Sequence, residues 1–457
     1  GMSGIAEVLH NLGYKVTGSD LKEGFTTKHL REIGVEIHKG HLARHVAEAD
    51  IVVMSSAVRP DNPEITAARA RGIPVIPRAE MLAELMRMKY SVAVAGTHGK
   101  TTTTSLIQAV LAAGGLDPTA IIGGRINALG TNAKLGASEF MVVEADESDG
   151  TFLLLTPVVA VVTNIDPEHL DYYGDFQAVR RTFVEFMNRV PFYGCAIVCL
   201  DHPVIQDLLP QVNKRVVTYG FTGQADVTAR GVELGPGFST FEVHARGERL
   251  GKVTLKLAGE HNVLNALATV AAAREFDVPF EVVERALAEF GGIHRRFEIK
   301  SDLGDVMIVD DYGHHPVEVR ATLAAARAGW DRRIIAIFQP HRYTRTRDLF
   351  TDFLTAFNDA DHVVIAPIYA AGEDPIEGVS AGLFVDEMRA RGLREVHAFE
   401  KFDEIVAHVE AIARPGDMII TLGAGDIYKV GEELAVRARK SAGGVKRGAR
   451  GTRPRRK

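Results

Sequence analysis

The sequence predicts an α/β protein in three parts, each with strands that alternate with helices around largely parallel sheets. Short apolar runs rich in Val, Ile and Ala alternate with amphipathic stretches along nearly the whole chain, which is typical of this class. The chain has 457 residues, too many for one ordinary core, and suits about three domains of 100 to 200 residues. Its 46% hydrophobic and 25% charged residues are typical of a globular protein.

The first predicted domain covers residues 1–88 and resembles a Rossmann-like unit that lacks its first strand. A helical pattern begins almost at once, and a strand from Lys15 to Thr17 follows, ending in Gly18, Ser19 and Asp20. In a Rossmann-like unit, a strand and a glycine turn precede that helix, and an acid after the second strand reaches a ribose hydroxyl. Asp20 fits that acid. We therefore expect the first strand to be missing, which would leave a gap in the sheet.

The second predicted domain covers residues 89–293 and opens with a phosphate-binding loop. An apolar strand leads into Gly96, Thr97, His98, Gly99, Lys100, Thr101 and Thr102. The helix that follows is predicted to extend to Ala113, with Gly114 and Gly115 as its cap. Loop amides and the helix N-terminus can surround phosphate oxygens, while the lysine neutralises charge and the first threonine offers Mg²⁺ a hydroxyl. The usual pattern would have its first glycine at position 94, where this chain has Val94. The sequence thus predicts a shortened variant of the loop.

Polar side chains follow the next two predicted strands of this domain. Glu144 begins an acidic run at the end of one apolar strand, and His169 follows the other. Ligands bind at such strand ends in open α/β sheets, so we expect Glu144 to hold Mg²⁺ with Thr101 and His169 to hold a second ion. His261, Asn262 and Asn265 open a later helix, where the amides could cap that helix or reach an adenine edge.

The third predicted domain covers residues 294–436, after paired glycines at 291–292 that suggest a hinge. Residues 437–457 contain ten Lys or Arg and no acid, and we expect a disordered basic tail. The whole chain carries −6, so without the ten tail charges the remainder carries −16. A net acidic body argues against nucleic acid as the main ligand.

Other features predict a cytoplasmic protein. No apolar run approaches the roughly 18 residues that span a bilayer, so we expect no membrane span. Cys195 and Cys199 lie in a strand-like apolar stretch and are predicted to be buried thiols rather than a disulfide. The oligomeric state is left open between monomer and homodimer.

Taken together, the motifs resemble those of the Mur ligases, which form amide bonds in peptidoglycan synthesis at the expense of ATP. The resemblance extends over essentially the whole chain. It rests on the loop at 96–104, the acidic run at 144–149, the segments at 164–169 and 259–262, and the triplet at 295–297. The segments 310–316, 339–346 and 368–373 are similar to those of the members that add L-alanine to UDP-N-acetylmuramate.

The resemblance implies a fold with a Rossmann-like N-terminal domain, a central ATPase-type domain and a Rossmann-like C-terminal domain. It also implies phosphorylation of the sugar's lactyl carboxylate and attack of the alanine amine on the acyl phosphate. Lys100, Glu144, His169 and Arg296 would be catalytic, with Arg296 reaching the phosphates. Nucleotide contacts would come from the loop at 96–102 and from His261, Asn262, Asn265, Asp310 and Asp311. The UDP-sugar would contact Ser3, Ser19, Asp20 and Ser56, and L-alanine would contact Tyr312, His314, His341, Arg342 and Arg345.

Three alternatives remain at this stage. Folylpolyglutamate synthase is a more distant ligase with a similar phosphate loop, but it lacks the UDP-binding first domain. A recycling ligase that joins a preformed tripeptide to the same sugar nucleotide would share the first two domains, but it typically has Phe-Ala where this chain has Tyr312 and Gly313. An NAD-dependent oxidoreductase is suggested only by Gly1, Gly4 and Asp20, a partial and weak pattern.

Overall fold

A computed structural model describes residues 2–55, 57–87, 89–123, 132–303 and 306–448, with side chains to residue 439 in the last range. These residues form two compact units. The first contains residues up to 232 together with 240–256 and 262–293, and the second contains 233–239, 257–261 and the chain from His294 onward. No described helix has both the length and the apolarity that crossing a bilayer requires.

Short elements make up the beginning of the first unit. They are α1 (Met2–Asn11), β1 (Thr17–Asp20), α2 (Phe25–Glu32), β2 (Glu36–Lys39), β3 (Val52–Met54), α3 (Pro63–Ala70), β4 (Val75–Pro77) and α4 (Arg78–Met86). Strands β1 and β2 pair in parallel, as do β3 and β4, and the two pairs belong to separate sheets. The described part of this segment thus has two separate two-stranded sheets instead of one continuous sheet, in agreement with the expected gap.

The rest of the first unit is built around one long sheet. Its elements are β5 (Tyr90–Ala95), α5 (Lys100–Ala113), β6 (Thr119–Ile121), β7 (Ala133–Lys134), β8 (Phe140–Glu144), β9 (Val159–Val162), α6 (Leu170–Tyr173), α7 (Phe176–Asn188), β10 (Cys195–Cys199), α8 (Pro203–Leu208), β11 (Val216–Gly220), β12 (Val227–Gly235), β13 (Phe238–Ala245), β14 (Glu248–Leu255), α9 (Glu260–Glu275) and α10 (Phe280–Glu289). The strand order is β14-β13-β12-β11-β10-β9-β5-β8-β6-β7. Strand β5 lies between β8 and β9 and is parallel to both, so the carboxyl ends of all three meet at one edge.

Burial explains why these strands lack an alternating pattern. Residues Val92 to Ala95 are fully buried, as expected for a parallel strand covered on both faces. Helix α5 is buried as well, and its hydroxyls bond to the preceding turn: Thr104 Oγ1 donates to the Lys100 carbonyl at 2.8 Å and Ser105 Oγ to that of Thr101 at 2.7 Å. Such back-bonding lets a hydroxyl-rich helix lie in a core. Cys195 and Cys199 are buried free thiols, as predicted.

The second unit contains a six-stranded sheet with helices on both faces. Its elements are β15 (Glu298–Leu303), β16 (Val306–Asp311), α11 (Pro316–Gly329), β17 (Ile334–Phe338), α12 (Tyr343–Asp348), α13 (Phe350–Phe353), β18 (His362–Ile365), α14 (Ala381–Ala390), β19 (Val396–Ala398), α15 (Phe402–Ile412), β20 (Met418–Leu422) and α16 (Tyr428–Gly448). The order is β15-β16-β20-β17-β18-β19, and only β15 runs antiparallel to its neighbour. One core cluster includes Phe338 and Phe384, and the other includes Val364 and Ile405.

The predicted disorder of the basic segment is wrong for residues 437–448. Helix α16 continues through them, and Arg437 pairs with Glu410 at 2.8 Å and with Glu433 one turn earlier. Acidic residues on the neighbouring turn and on α15 offset the positive charge at the start of this segment, which composition alone did not reveal. Residues 449–457 lie outside the described residues.

Candidate active site

The phosphate loop joins β5 to α5 in the predicted place. Gly96 and Gly99 have φ angles of +133° and +79°, a region that residues with a Cβ rarely adopt. A Cβ at Gly99 would lie 2.7 Å from Oδ1 of Asn265, and one at Gly96 would collide with the Thr163 side chain. Both glycines are therefore required by backbone conformation and by close packing, which is the usual role of glycine in such a loop.

The segment after β9 holds the loop in place. The Asn164 side chain accepts from the His98 amide at 2.7 Å and donates to the His98 carbonyl at 3.1 Å. Thr97 Oγ1 accepts from the amide of Asp166 at 2.9 Å. These bonds fix the loop before any ligand binds, which lowers the entropic cost of binding.

Asp166 lies between two histidines beside the loop. Its carboxylate oxygens are 3.3 Å from His98 Nε2 and 3.5 Å from His202 Nε2. Burial alone would raise the pKa of Asp166, but hydrogen bonds from His202 and His98 hold this pKa well below its usual range. Asp166 lies in the segment 164–169, but no role could be predicted for it; its contact with His98 makes it an anchor for that side chain.

Lys100 points back over the loop. Its Nζ donates to the carbonyls of Gly96 at 2.5 Å and Thr97 at 3.2 Å and to Glu147 Oε1 at 2.9 Å. Burial lowers the pKa of Lys100, but the charges of Glu147 and Asp146 outweigh this effect and raise it. Lys100 is therefore a cation at neutral pH. Glu147 was missed as a functional residue, although it lies only three positions beyond Glu144 in the acidic run.

Thr101 and Glu144 are brought together, as the sequence predicted. Thr101 Oγ1 donates to Glu144 Oε1 at 3.1 Å, and Oε2 of the same carboxylate accepts from the Gly123 amide at 2.8 Å. A hydroxyl and a carboxylate beside a phosphate loop form the hard oxygen donor set that suits Mg²⁺. The residues present therefore fit this ion.

The other predicted residues of the first unit occupy different places. His169 caps the N-terminus of α6 in a left-handed conformation, with φ +55°. Thr102 is buried on α5. On α9, Asn265 Oδ1 accepts from Thr103 Oγ1 at 3.1 Å, and its amide nitrogen donates to Asn262 at 3.2 Å. These amides thus link α9 to α5. His261, grouped with the second unit, is exposed.

The predicted sugar-nucleotide residues within the described chain have different hydrogen-bond partners. Ser19 lies at the end of β1 and donates to Glu64 Oε2 at 2.6 Å, with His41 Nδ1 2.9 Å away. The adjacent Asp20 accepts from the Lys22 amide at 2.9 Å. Ser3, on α1, instead bonds to Asn132. Ser56 lies outside the described residues.

A small cavity of about 120 Å³ lies within the first unit. Its walls come from the ends of β3 and β4, the start of α4 and the segment after the acidic run; they include Met54, Pro77, Arg78, Asp149 and Thr151. Arg78 Nη2 is 3.7 Å from Asp146, and only 17% of the Arg78 side chain is exposed. Neither the cavity nor Arg78 was predicted, because the contact joins residues far apart in the chain.

In the second unit, Asp310 and Asp311 have internal partners for all four carboxylate oxygens. Asp310 accepts from Arg295 Nε at 2.9 Å and Thr421 Oγ1 at 2.7 Å. Asp311 accepts from the amides of Phe297 and Gly313, both at 2.7 Å. Through these bonds the two acids shape the loop at 295–297. Their contact with the nucleotide stays a prediction from the sequence.

Arg296 lies in the loop that these acids shape. Its guanidinium lies 5.3 Å from the centre of the Tyr312 ring and 3.9 Å from Glu318. Arg295 lies over the same ring at 5.1 Å. Stacking on an aromatic face and pairing with a carboxylate restrict where an arginine can point.

The predicted amino-acid residues do come together in the second unit. The rings of Tyr312 and His314, of His314 and His341, and of His341 and Tyr369 are each 5.5 Å apart between centroids, which makes one continuous row. Arg345 Nη1 is 3.0 Å from His341 Nδ1, and Arg342 donates to Glu373 at 2.6 Å. Tyr369 was not predicted as a site residue, although it lies in the segment 368–373, which carries part of the family resemblance.

Comparisons with known proteins match the chain to one family over most of its length. Residues 1–90 match the model "Mur ligase family, catalytic domain", residues 94–273 match "Mur ligase middle domain", and residues 295–425 match "Mur ligase, glutamate ligase domain". A UDP-N-acetylmuramate–L-alanine ligase from Syntrophotalea carbinolica is 55% identical over 95% of both chains. Its counterpart from Geobacter sp. strain M21 is 56% identical over 96% of this chain and 95% of the relative.

Solved structures give the same result for the fold. The UDP-N-acetylmuramate-alanine ligase of Thermotoga maritima superposes with a TM-score of 0.81 at 29% identity, covering 96% of this chain and 97% of that one. A murein peptide ligase from Psychrobacter arcticus gives 0.70 at 26% identity, covering 96% of both chains. The NAD-dependent oxidoreductase considered from the sequence loses its basis, because residues 1–90 match a ligase family model. The chain belongs to the Mur ligase family.

Proposed function

We propose that the chain joins L-alanine to the lactyl carboxylate of UDP-N-acetylmuramate in a reaction driven by ATP. The support is the 55% identity, over 95% of both chains, to a ligase named for this reaction. The carboxylate attacks the γ-phosphorus of ATP, giving an acyl phosphate and ADP. The alanine amine then attacks the carbonyl carbon, and phosphate leaves with the former carboxylate oxygen. We place this step of peptidoglycan precursor synthesis in the cytoplasm.

Phosphorylation solves a chemical problem that alignment alone cannot solve. A carboxylate is a poor electrophile, and its oxygen is a poor leaving group, whereas phosphate leaves readily. The first step must still bring an anionic carboxylate to an anionic triphosphate, and Coulomb repulsion opposes this. Lys100 is the cation placed to offset it, since its Nζ lies over the loop and is held there by Glu147 and two carbonyls.

Thr101 and Glu144 are the residues that would hold Mg²⁺, through a hydroxyl and a carboxylate oxygen that already lie 3.1 Å apart. The ion supplies charge neutralisation for the phosphate oxygens when bound. The Gly123 amide orients this carboxylate and fixes which oxygen faces Thr101. A second ion at His169 remains a prediction from the sequence.

The sugar nucleotide is assigned to the beginning of the first unit. Ser19 and Asp20 end β1, where a nucleotide binds in a Rossmann-like unit. Arg78 faces the 120 Å³ cavity and carries the charge needed near an anionic carboxylate or diphosphate. We therefore add Arg78 to the candidate residues for this substrate.

L-alanine is assigned to the row of rings in the second unit. Tyr312, His314 and His341 supply apolar faces and polar edges, and Arg342 and Arg345 lie beside them. An arginine can bind a carboxylate through two parallel hydrogen bonds, which suits an α-amino acid. Monomer and homodimer both remain compatible with this assignment.

The recycling ligase that takes a preformed tripeptide is the second candidate, since a murein peptide ligase shares the fold. Gly313 argues against it. An added Cβ at this position would lie 2.8 Å from Oδ1 of Asp311, the same oxygen that accepts from the Gly313 amide. The alanine typical of the recycling ligases would therefore displace Asp311, and with it the loop at 295–297.

The proposal is tested by comparing L-alanine with the tripeptide as the amine substrate. The full chain is incubated with ATP, Mg²⁺ and UDP-N-acetylmuramate, with either L-alanine or the tripeptide, and both released phosphate and the product mass are followed. We expect alanine-dependent phosphate release and a mass gain of one alanine residue. A product only with the tripeptide would replace the proposal by the recycling reaction, and no product with either would reject both.

A further inference from the structure

A cluster of three histidines lies in the second unit, and none of the three is assigned to a substrate. His362 begins β18, His397 is the middle residue of β19, and His408 lies on α15. Their ligand atoms all lie within 4.8 Å of one another. Within the described residues, this is the one group of histidine, cysteine or acidic side chains with that geometry. Nothing in the proposed reaction uses it.

The fold brings the three rings together for a simple reason. Side chains alternate between the two faces of a strand, so His362 lies on the same face as Val364, in the cluster that also contains Ile405 and Val409. His397 pairs with Val364 across the ladder and presents its ring to the same face. His408 follows Ile405 by three positions on α15, which covers this face.

The distances suit a metal ion bound by nitrogen. His362 Nε2 and His408 Nε2 are 3.1 Å apart, and two imidazole nitrogens on one tetrahedral Zn²⁺ would be about 3.3 Å apart for Zn–N bonds of about 2.0 to 2.1 Å. The ring of His397 stacks on that of His362 with a centroid distance of 4.9 Å and is about one-third exposed. Metal binding requires this side chain to rotate so that one of its nitrogens joins those of His362 and His408.

The surrounding charges are compatible with a bound cation. Glu395 Oε2 is 3.4 Å from His362 Nδ1, the nitrogen opposite the one that faces His408. A carboxylate that accepts from the outer nitrogen orients a metal-binding imidazole and raises its basicity. Arg333 is the nearby cation, and its charge is already paired with Asp417 at 2.7 and 3.0 Å.

We propose that His362, His397 and His408 bind a divalent transition metal ion, with Zn²⁺ as the best match, and that this ion ties β18, β19 and α15 together. Imidazole ligands favour Zn²⁺, Ni²⁺ or Cu²⁺ over Mg²⁺, which prefers oxygen. Three histidines leave a fourth position for water, and Glu395 orients His362 from outside. The competing explanation is an N–H···N bond between His362 and His408 in an ordinary core.

The test uses the full chain, stripped of metal and kept in millimolar Mg²⁺ so that oxygen-rich sites are filled. Zn²⁺ binding is measured by calorimetry and by the metal retained after desalting, and Co²⁺ is used as a spectroscopic probe of tetrahedral nitrogen ligation. His397→Ala and His408→Ala each remove one ligand at a partly exposed position, and His10→Ala removes a histidine from α1 as the matched control. Circular dichroism and thermal unfolding without metal verify that each variant folds.

We expect the unaltered chain and His10→Ala to bind one more equivalent of Zn²⁺ than His397→Ala and His408→Ala. Zn²⁺ should raise the unfolding midpoint of the first two proteins more than that of the other two. Glu395→Gln should keep the site but weaken binding by about 10- to 100-fold. Equal stoichiometry in all folded variants would overturn the proposal in favour of the N–H···N pair. If His408→Ala fails to fold, His397→Ala decides alone.

Discussion

Lys100 Nζ lies 2.9 Å from Oε1 of Glu147, a carboxylate with only 3% of its side chain exposed. This pair lies at the N-terminus of α5, where the charge of an incoming triphosphate must be met. A cation held by a buried acid keeps a defined position, but it must exchange some of its contacts to reach a phosphate. The contact with Glu147 therefore sets the position from which Lys100 moves to a phosphate.

Lys100→Ala should lower kcat by at least about 100-fold, because no other described side chain of the loop carries a full positive charge to the phosphates. Binding of the UDP-sugar, measured by calorimetry without ATP, should be largely unchanged. Lys134→Ala is the matched control, since it removes a partly exposed lysine paired with Asp117 in the same unit. Loss of UDP-sugar binding in Lys100→Ala would mean that the two sites are misplaced.

Because of Glu147, the free energy of unfolding should fall as the pH rises from about 4.5 to 7. Burial raises its pKa to about 7, although Lys100 opposes this rise, whereas the unfolded chain releases the proton near pH 4.5. Between these values the folded state binds more protons than the unfolded state, so folding weakens with rising pH. The unfolding midpoint of the unaltered chain, relative to that of Glu147→Gln, should therefore decline across this window and level off above it. A difference that stays constant would contradict the assigned pKa.

Thr101→Val should raise the Mg²⁺ concentration needed for half-maximal activity on the order of tenfold. The change keeps the shape of the side chain but removes the hydroxyl that lies 3.1 Å from Glu144. Thr101→Ser retains the hydroxyl and should stay close to the original requirement. The measurement is a Mg²⁺ titration of phosphate release at saturating substrates. If Thr101→Val and Thr101→Ser needed the same Mg²⁺ concentration, Thr101 would not belong to the residues proposed to hold the ion.

Gly99→Ala and Gly115→Ala form a matched pair of glycine substitutions. Both positions have φ near +80°, so each alanine should cost roughly 1 to 2 kcal/mol of folding free energy. Only at Gly99 does the new Cβ meet a neighbour, Oδ1 of Asn265 at 2.7 Å, whereas nothing lies within 4 Å at Gly115. We expect a larger loss of stability and a higher KM for ATP in Gly99→Ala alone. Similar kinetics in both variants would show that the loop tolerates a side chain there.

Much of this arrangement could be predicted because it depends on local patterns. The alternation of short apolar runs with amphipathic stretches predicted the α/β class. The parallel strands β5 and β8 end at one edge of the sheet, which brings Thr101, after the loop, close to Glu144. What the sequence did not reveal depends on contacts between distant residues. Nothing in the chain order links Lys100 to Glu147, Arg78 to Asp146 or His341 to Tyr369.

The segment after residue 436 shows where composition was misleading. Its composition predicts disorder, but its first twelve residues continue a helix whose earlier turns pack on the sheet. A tertiary contact therefore overrode what composition indicated. The internal hydrogen bonds of Asp310 and Asp311 with the loop at 295–297 also depend on tertiary contacts, which the motif alone did not reveal.

The most direct test of the proposed reaction follows an oxygen atom from the lactyl carboxylate into the released phosphate. UDP-N-acetylmuramate labelled with ¹⁸O in its lactyl carboxylate is incubated with ATP, Mg²⁺, L-alanine and the full chain, and the released phosphate is analysed by mass spectrometry. Activation through an acyl phosphate predicts one ¹⁸O in each phosphate and one left in the amide carbonyl. Product formation with unlabelled phosphate would show that the carboxylate is not phosphorylated and would contradict the proposed reaction.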